Sequence, residues 1–106
     1  MMPPLVSKRR LNAIVHDAAH LSDQRLDAVL SPARDRPLAY ARFAAAWAMQ
    51  WATGASKADI ARVLGRAHHT TIISAIRRAR ELRAADPAFR ELTDRLVEAD
   101  KRRYPA

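Results

Sequence analysis

The sequence predicts an all-α fold of about six helices with a central helix-turn-helix, and three observations predict it. Apolar residues recur at the three- and four-residue spacing of helices through most of the chain. Runs that combine β-branched and aromatic residues, which strands favour, are nearly absent. Residues of the kind that cap helix starts precede four of the apolar runs, at Ser7, Ser22, Ser56 and Asp86.

The first half of the chain contains three predicted helices. Residues 8–20 form the first, with Ser7 as its cap. A short second helix is predicted from Ser22, as its cap, to Leu30. Residues 31–37 contain two prolines and are predicted to form a loop.

The third predicted helix, residues 38–53, is the longest, and Gly54 ends it. Trp47 and Trp51 lie four residues apart, on one face of this helix. At helical spacing, tryptophans pack in a core or at its rim far more often than they form a base-stacking platform. We therefore expect a packing role for both.

The next two helices form the predicted helix-turn-helix. Ser56 and Asp59 have the pattern of a capping box, and Gly65 is expected to end the first helix with a positive φ. The second helix covers about residues 70–83. Its inward-facing apolar residues are Ile72, Ile76, Ala79 and Leu82.

A final helix is predicted from Asp86, its cap, and Pro87 to about Lys101. Its outward-facing acids are predicted to be Glu91, Asp94, Glu98 and Asp100. The chain is thus interpreted as a loose N-terminal lead-in over residues 1–6, one helical domain over residues 7–102 and a tail over residues 103–106.

The composition excludes several classes of protein. Without cysteine, the chain has neither disulfides nor thiolate metal ligands. No apolar run approaches the roughly 20 residues that span a bilayer. The segment after the basic residues 8–10 carries histidines and an aspartate instead of the apolar stretch of a secretory signal. We therefore expect a cytoplasmic protein with no membrane partner.

A zinc enzyme is the one catalytic class that the histidines suggest, and we reject it. His16 and His20 have the spacing of the His-Glu-x-x-His motif, but Asp17 replaces the glutamate that acts as base. A catalytic zinc also needs a third protein ligand, which the sequence does not offer. We expect no enzymatic activity, no catalytic or metal site and no cofactor.

Positive charge is concentrated in the middle of the chain. The net charge is +8, and residues 34–83 contain ten basic residues against three acids, which leaves +7 there. A surface that binds a polyanion has this kind of distribution. A soluble, arginine-rich protein without such a partner would also have it, so the charge alone does not decide between the two.

The turn of the helix-turn-helix indicates the partner. Residues 65–71 read Gly-Arg-Ala-His-His-Thr-Thr. Hydrogen-bonding side chains at the start of such a helix can read base edges in the DNA major groove. The arginines of the loop at residues 32–37, which precedes the third helix, can contact phosphates or enter a minor groove. The acidic last helix should then point away from DNA. The candidate DNA-binding residues are Arg34, Arg36, Arg42, Lys57, Arg66, His68, His69, Thr70, Thr71, Arg77 and Arg78.

Residues 38–75 resemble domain IV, the C-terminal helix-turn-helix DNA-binding domain, of the bacterial replication initiator DnaA. That family has Ala-Arg-Gln, Leu-Thr at a helix end, Ser-x-x-x-Ile-Gly, and Gly-Gly-Arg-Asp-His-Thr-Thr-Val. The matching residues are Ala41-Arg42-Phe43, Ala52-Thr53, Ser56 with Ile60, and residues 65–72. The flanking helices also fit the family's layout, and the resemblance implies a TrpR-like or DnaA domain IV-like fold.

The resemblance implies roles for individual residues. Arg34 matches the arginine that enters the minor groove, and Arg42 matches one that reads a guanine in the major groove. His69, Thr70 and Thr71 match residues that contact bases and methyl groups. Further apolar or backbone contacts fall on Lys57 and Ala58.

Five positions depart from the family's pattern. The replacements are Phe43 for a glutamine, Gln50 for a basic residue, Arg66 for a glycine, Ala67 for an arginine and His68 for an aspartate. His68 thereby removes an acceptor for cytosine and a natural helix cap, although a protonated histidine can donate to a phosphate. The resemblance therefore implies DNA binding without implying the family's standard target sequence.

No Gly-x-x-x-x-Gly-Lys-Ser/Thr loop occurs in the sequence, so ATP-driven assembly is not expected. The leading interpretation is a stand-alone, nucleoid-associated protein that binds specific double-stranded DNA sites. It would regulate replication initiation or transcription by occupancy. Two alternatives stay open. One is an adaptor that binds a protein partner of the replication or transcription machinery through the tryptophan-bearing or acidic helix face. The other is the isolated DNA-binding domain of a longer initiator.

Overall fold

The computed structural model describes residues 6–66 and 68–105, which contain six helices and no strand. The predicted all-α class is confirmed. Most of the predicted lead-in, together with Ala67 and Ala106, lies outside the described residues. The helices are α1 (Lys8–Leu21), α2 (Leu26–Val29), α3 (Arg36–Thr53), α4 (Lys57–Val63), α5 (His69–Ala85) and α6 (Pro87–Arg103).

Helix α3 is the centre of the bundle. It packs against α1, α5 and α6, and α2 and α4 close the two remaining sides. Small side chains on α3 let these neighbours approach closely, because interaxial distance depends on the side chains at the contact. The fully buried alanines of α3 are Ala41, Ala44, Ala45, Ala46 and Ala48.

Local capping signals position most helix ends as predicted. The side-chain oxygens of Ser7, Ser56 and Asp86 each accept a hydrogen bond from a backbone N–H in the following first turn, at 3.0–3.1 Å. Gly54 ends α3 with φ 69°, and Gly65 follows α4 with φ 70°. Both are left-handed conformations that glycine adopts without strain.

The predicted start of the second helix is wrong. Ser22 does not cap α2 but ends α1, and α2 spans only Leu26–Val29. Asp23 adopts a left-handed φ of 56°, and the N–H groups of Asp23 and Gln24 donate back to carbonyls in the last turn of α1. This arrangement satisfies the end of α1 and turns the chain before another helix can begin.

The prediction that Asp100 faces outward is also wrong. Its side chain is only 2 % exposed, because the last turns of α6 pack against α1, and Arg10 on α1 pairs with it. Three other acids of α6 are exposed as predicted: Glu91, Asp94 and Glu98. Helix α6 continues to Arg103, two residues past the predicted end.

Helix α3 begins at Arg36, two residues earlier than predicted, so Arg36 is helical and does not belong to the preceding loop. Pro37 explains the difference, because proline is well accommodated in the first turn of a helix, where its missing N–H needs no partner.

His16 and His20 are exposed on α1. Over residues 6–66 and 68–105, no helix combines the length and apolar character that crossing a bilayer would require.

Candidate nucleic-acid interface

The end of α4 directs the chain into α5. The N–H of Gly65 donates to the carbonyl of Arg62 at 3.2 Å, and the N–H of Arg66 donates to that of Ala61 at 2.8 Å. With Gly65 left-handed, these two bonds form a Schellman motif, which ends a helix sharply. Ala67 lies outside the described residues, and α5 begins two residues after it.

The first turn of α5 is exposed and carries no side-chain cap. His68 is the N-cap residue by its backbone conformation, but its side chain accepts no capping hydrogen bond, as expected from its replacement of an aspartate. The side chains of His69, Thr70 and Thr71 are exposed. The N–H of Thr71 donates to the backbone carbonyl of His68 at 3.2 Å, but no side chain of His68 caps this helix end. A helix end without a side-chain cap favours an anionic or carbonyl partner.

A cleft of about 670 Å³ lies between the first half of α5, α3 and residues 30–35, which we call the arginine loop. Apolar side chains of Phe43, Leu64 and Ile72 contribute to its lining. Ser74 also lines it and is exposed; its position three residues after Thr71 on a helix could have identified it from sequence. The candidate DNA-binding residues that this cleft brings together are Arg34, Arg42, Arg66, Thr71, Arg77 and Arg78.

The cleft is strongly cationic. Five arginines line it against one acid, Glu81, and that acid pairs with Arg78 at 2.9 Å. The acids of α6 lie on other faces of the molecule and line none of this cleft. The acidic face of α6 is thus separate from this cleft. That it faces away from DNA stays a prediction.

Arg42 is half-buried beneath the arginine loop and donates to the backbone of that loop and of α2 before it. Its Nε donates to the carbonyl of Val29 at 2.7 Å, and Nη1 to that of Ala33 at 2.6 Å. Its Nη2 donates to the carbonyls of Ser31 at 2.8 Å and Ala28 at 3.2 Å. The sequence suggested that Arg42 lies within reach of this loop, and it does, but nothing local in the sequence indicated these four bonds.

Arg66 reaches the same loop from the other side. Its Nη2 donates to the carbonyl of Ser31 at 3.0 Å, so this oxygen accepts from both arginines. Burial lowers the pKa of Arg42, and the nearby charge of Arg66 acts in the same direction while Asp35 opposes it. An arginine nevertheless stays charged under ordinary conditions.

Five candidates lie outside the cleft. His68, His69 and Thr70 are exposed at its edge, at the start of α5. Lys57 is half-buried at the first residue of α4. Arg36 lines a separate cleft beside Tyr40 and Phe89, so the structure does not bring it together with the others.

The two tryptophans belong to a different surface. Trp47 is 8 % exposed and Trp51 is 70 % exposed, and their rings stack with centroids 5.7 Å apart. Arg83 lies 4.1 Å from the centre of the Trp47 ring and pairs with Asp94 at 2.8 Å. The predicted packing role is confirmed for Trp47, which lies in the core, whereas Trp51 is exposed and contributes a ring stacked on Trp47. Both line a cleft that shares no lining residue with the cationic one.

No cluster of three or more histidine or acidic side chains in residues 6–66 and 68–105 is placed to hold a metal ion. The arrangement offers charge, hydrogen-bond donors and an exposed helix end. These are the properties of a surface that binds a nucleic acid.

Comparison with known proteins gives a consistent result. Residues 10–79 match the family model described as the bacterial DnaA protein helix-turn-helix. Chromosomal replication initiator protein DnaA from Caulobacter sp. (strain K31) is 40 % identical over 70 residues, which are 66 % of this chain and 14 % of that protein. The corresponding protein from Caulobacter vibrioides (strain NA1000 / CB15N) is 41 % identical over 72 residues, 68 % of this chain and 14 % of that protein.

A solved structure agrees at the level of the fold. The crystal structure of a DNA replication initiation factor superposes with a TM-score of 0.77 at 29 % identity, and the match covers 88 % of this chain and 28 % of that one. The chain therefore spans only a small part of the length of these relatives, and the similarity concerns their helix-turn-helix region.

Proposed function

This chain belongs to the helix-turn-helix family of bacterial DnaA proteins, and from that premise we propose that it binds specific double-stranded DNA sites through the cationic cleft and the start of α5. Membership of this family implies DNA binding. The choice of sequence, the residues that make it and the process that it serves are parts of the proposal.

The observation that carries the proposal is the shared cleft. Arg34 from the arginine loop and Arg77 and Arg78 from α5 come from two separate segments and line one surface. Thr71, from the exposed first turn of α5, lines it too. Charge for the phosphate backbone and hydroxyl groups for base edges thus lie side by side, as DNA recognition requires.

In the proposed complex, the first turn of α5 enters the major groove. The hydroxyl groups of Thr70 and Thr71 contact base edges, and their methyl groups contact thymine. Arg77 and Arg78 neutralise phosphates, and Arg34 extends into the adjacent minor groove. His68 and His69 donate to phosphates or bases at the groove edge.

We propose that the protein acts by occupancy, as a regulator of replication initiation or of transcription, with no ATPase activity of its own. Binding at a site excludes other proteins from it, and this needs no chemical step. We also propose that the protein is nucleoid-associated, because a domain with this positive charge binds DNA of any sequence through the phosphates.

A titration of labelled duplexes tests the proposal. Duplexes that the protein selects from a random pool supply the preferred sequence, and a scrambled duplex of equal length is the reference. We expect tighter binding to the selected duplex and a plot of log K against log salt with a slope of about −4, as for four to five neutralised phosphates. Affinity that is independent of salt, or equal for both duplexes, would contradict it.

Trp51 supports a second candidate function, that of a protein-binding adaptor. It is the most exposed of the large apolar side chains among the described residues. A partner helix with an apolar face could cover it. Trp51→Ser would favour this function if it abolished the effect of the protein on replication initiation or transcription while its DNA affinity stayed unchanged.

A further inference from the structure

The four hydrogen bonds of Arg42 all end on backbone carbonyls of residues 28–33. Two of these carbonyls lie in the single turn of α2 and two in the irregular chain after it, so few backbone N–H groups are available to them. The planar guanidinium carries five N–H groups in a fixed fork and can satisfy several acceptors at once. In this arrangement most of the donors of Arg42 are engaged within the protein and are not directed at a ligand.

Arg66 connects the same loop to the helix-turn-helix. Its backbone N–H closes the end of α4, while its side chain donates to the carbonyl of Ser31. The neighbouring Gly65 approaches the loop so closely that an added Cβ would lie 3.5 Å from the carbonyl oxygen of Leu30. The turn before α5 and the arginine loop are therefore in direct contact.

We propose that Arg42 and Arg66 are positioning residues, which hold the arginine loop against the helix-turn-helix so that Arg34 and the start of α5 engage DNA as one rigid unit. This inference rests on the proposed function, because it concerns how the same interface is assembled. Holding two contact segments in the bound geometry before binding reduces the entropy lost on association.

Arg42 and Arg66 differ from simple DNA contacts, because the guanidinium groups of both donate to the backbone of the arginine loop. Residues 31–35 have no regular structure, and without Arg42 and Arg66 the loop would keep only local bonds such as that from the Ala33 N–H to the Ser31 hydroxyl. Arg34 would then sample many positions, and its contribution to binding would fall. A positioning residue therefore acts through Arg34, whereas a residue that contacts DNA itself acts independently of it.

A double-mutant cycle on the full chain distinguishes these cases. Arg34→Ala, Arg66→Ala and the double variant are titrated with the selected duplex at fixed salt, with Arg95→Ala on the exposed face of α6 as a charge-matched control. We expect Arg66→Ala to weaken binding about tenfold with Arg34 present and less than about twofold in its absence, since residues that act through each other are non-additive. Equal losses in both backgrounds would overturn the inference. Absence of binding by the unsubstituted protein would overturn the proposed function instead.

Arg42→Lys provides an independent test, because it keeps the charge and loses the fork. We expect Arg42→Lys to weaken binding as much as Arg42→Ala, with discrimination lost only at the base pairs that Arg34→Ala also affects. Wild-type affinity, or loss at a different base pair, would show that Arg42 contacts DNA itself and would overturn the inference.

Hydrogen exchange on the free protein supplies a readout that does not depend on DNA. The N–H of Ser31 donates to the Ala28 carbonyl and that of Ala33 to the Ser31 hydroxyl. We expect these two amides to exchange about tenfold faster in Arg66→Ala, with amides of α3 and α6 unchanged, because only local opening becomes easier. Unchanged exchange in the loop would overturn the inference.

Discussion

Arg10 on α1 and Asp100 on α6 form a two-bond ion pair that joins the beginning of the domain to its end. Arg10 Nε lies 2.9 Å from Asp100 Oδ1, and Nη2 lies 2.6 Å from Oδ2. The same guanidinium lies 4.9 Å from the centre of the Tyr104 ring and donates to the carbonyl of Ala52 at 3.4 Å. The hydrogen bonds that Arg10 donates to Asp100 raise the pKa of Arg10, although burial opposes the shift.

Asp100→Asn should destabilise the domain, because it keeps the size of the side chain but removes the charge that Arg10 requires. We expect a loss of about 2 kcal/mol in the free energy of unfolding, below the roughly 3–5 kcal/mol for a fully buried pair, since Arg10 is partly exposed. Urea unfolding monitored by circular dichroism measures it. Asp27→Asn, at the exposed Arg25–Asp27 pair, is the control and should leave stability unchanged.

Gly65→Ala should destabilise the protein by about 1 kcal/mol, because an alanine at this positive φ is strained. Gly65→Asn should cost less, since asparagine tolerates the left-handed region better. Thermal unfolding of both variants checks the order. Gly54→Ala, where an added Cβ meets nothing within 4 Å, isolates the cost of the backbone conformation. An alanine variant at Gly65 as stable as the wild type would contradict the prediction.

Thr71→Ala and Arg77→Ala should differ in kind. Thr71→Ala should weaken binding to the selected duplex by about 1–3 kcal/mol, because it removes a contact to base edges. The difference in affinity between the selected and the scrambled duplex should therefore become smaller. Arg77→Ala should weaken binding to both duplexes by a similar factor, since phosphates are the same in every sequence. Anisotropy titrations with the two duplexes measure the difference. If Thr71→Ala weakened both equally, a base-reading role for Thr71 would be refuted.

Arg34→Ala should reduce the salt dependence of binding. An arginine in the minor groove lies between the two phosphate backbones and displaces counterions, as one on a phosphate does. We therefore expect the slope of log K against log salt to become shallower by about 1. Titrations at four or more salt concentrations measure it, and Arg95→Ala should retain the full slope. If Arg34→Ala had the same slope as the wild type, Arg34 would lie away from the DNA.

Trp51→Ser should leave DNA affinity unchanged, because Trp51 lines a cleft separate from the cationic one. It should raise solubility by removing an indole that is 70 % exposed. Titration with the selected duplex checks the first expectation, and concentration-dependent light scattering checks the second. A clear loss of DNA affinity would mean that the interface extends around α5 to this face.

The parts of the fold that depend on neighbouring residues could be predicted from the sequence. Ser7, Ser56 and Asp86 bond within the first turn that follows them, and Gly65 needs only its own backbone conformation. Ser22 was predicted to begin α2, but it ends α1. The residue that turns the chain there in the left-handed conformation is Asp23, a position where glycine is more usual.

Contacts between distant segments could not be predicted in this way. Asp100 has the surroundings of an exposed helical acid in the sequence, and its partner Arg10 is 90 residues away. Arg42 is recognisable as basic and close to a loop, but the carbonyls that it contacts carry no side-chain signal. The residues of the candidate site could thus be predicted, whereas the division between those that face a ligand and those that support them could not.

The stacking of Arg10 on Tyr104 also determines how the domain could be re-engineered. Since the first turn of α1 and the residue after α6 are neighbours, a short linker could join them, and new ends could be opened at an exposed turn such as that at Gly54. Circular permutation succeeds where ends adjoin and the cut falls on an exposed connection. The helix order of this DNA-binding domain could then be rearranged while the cationic cleft stays intact.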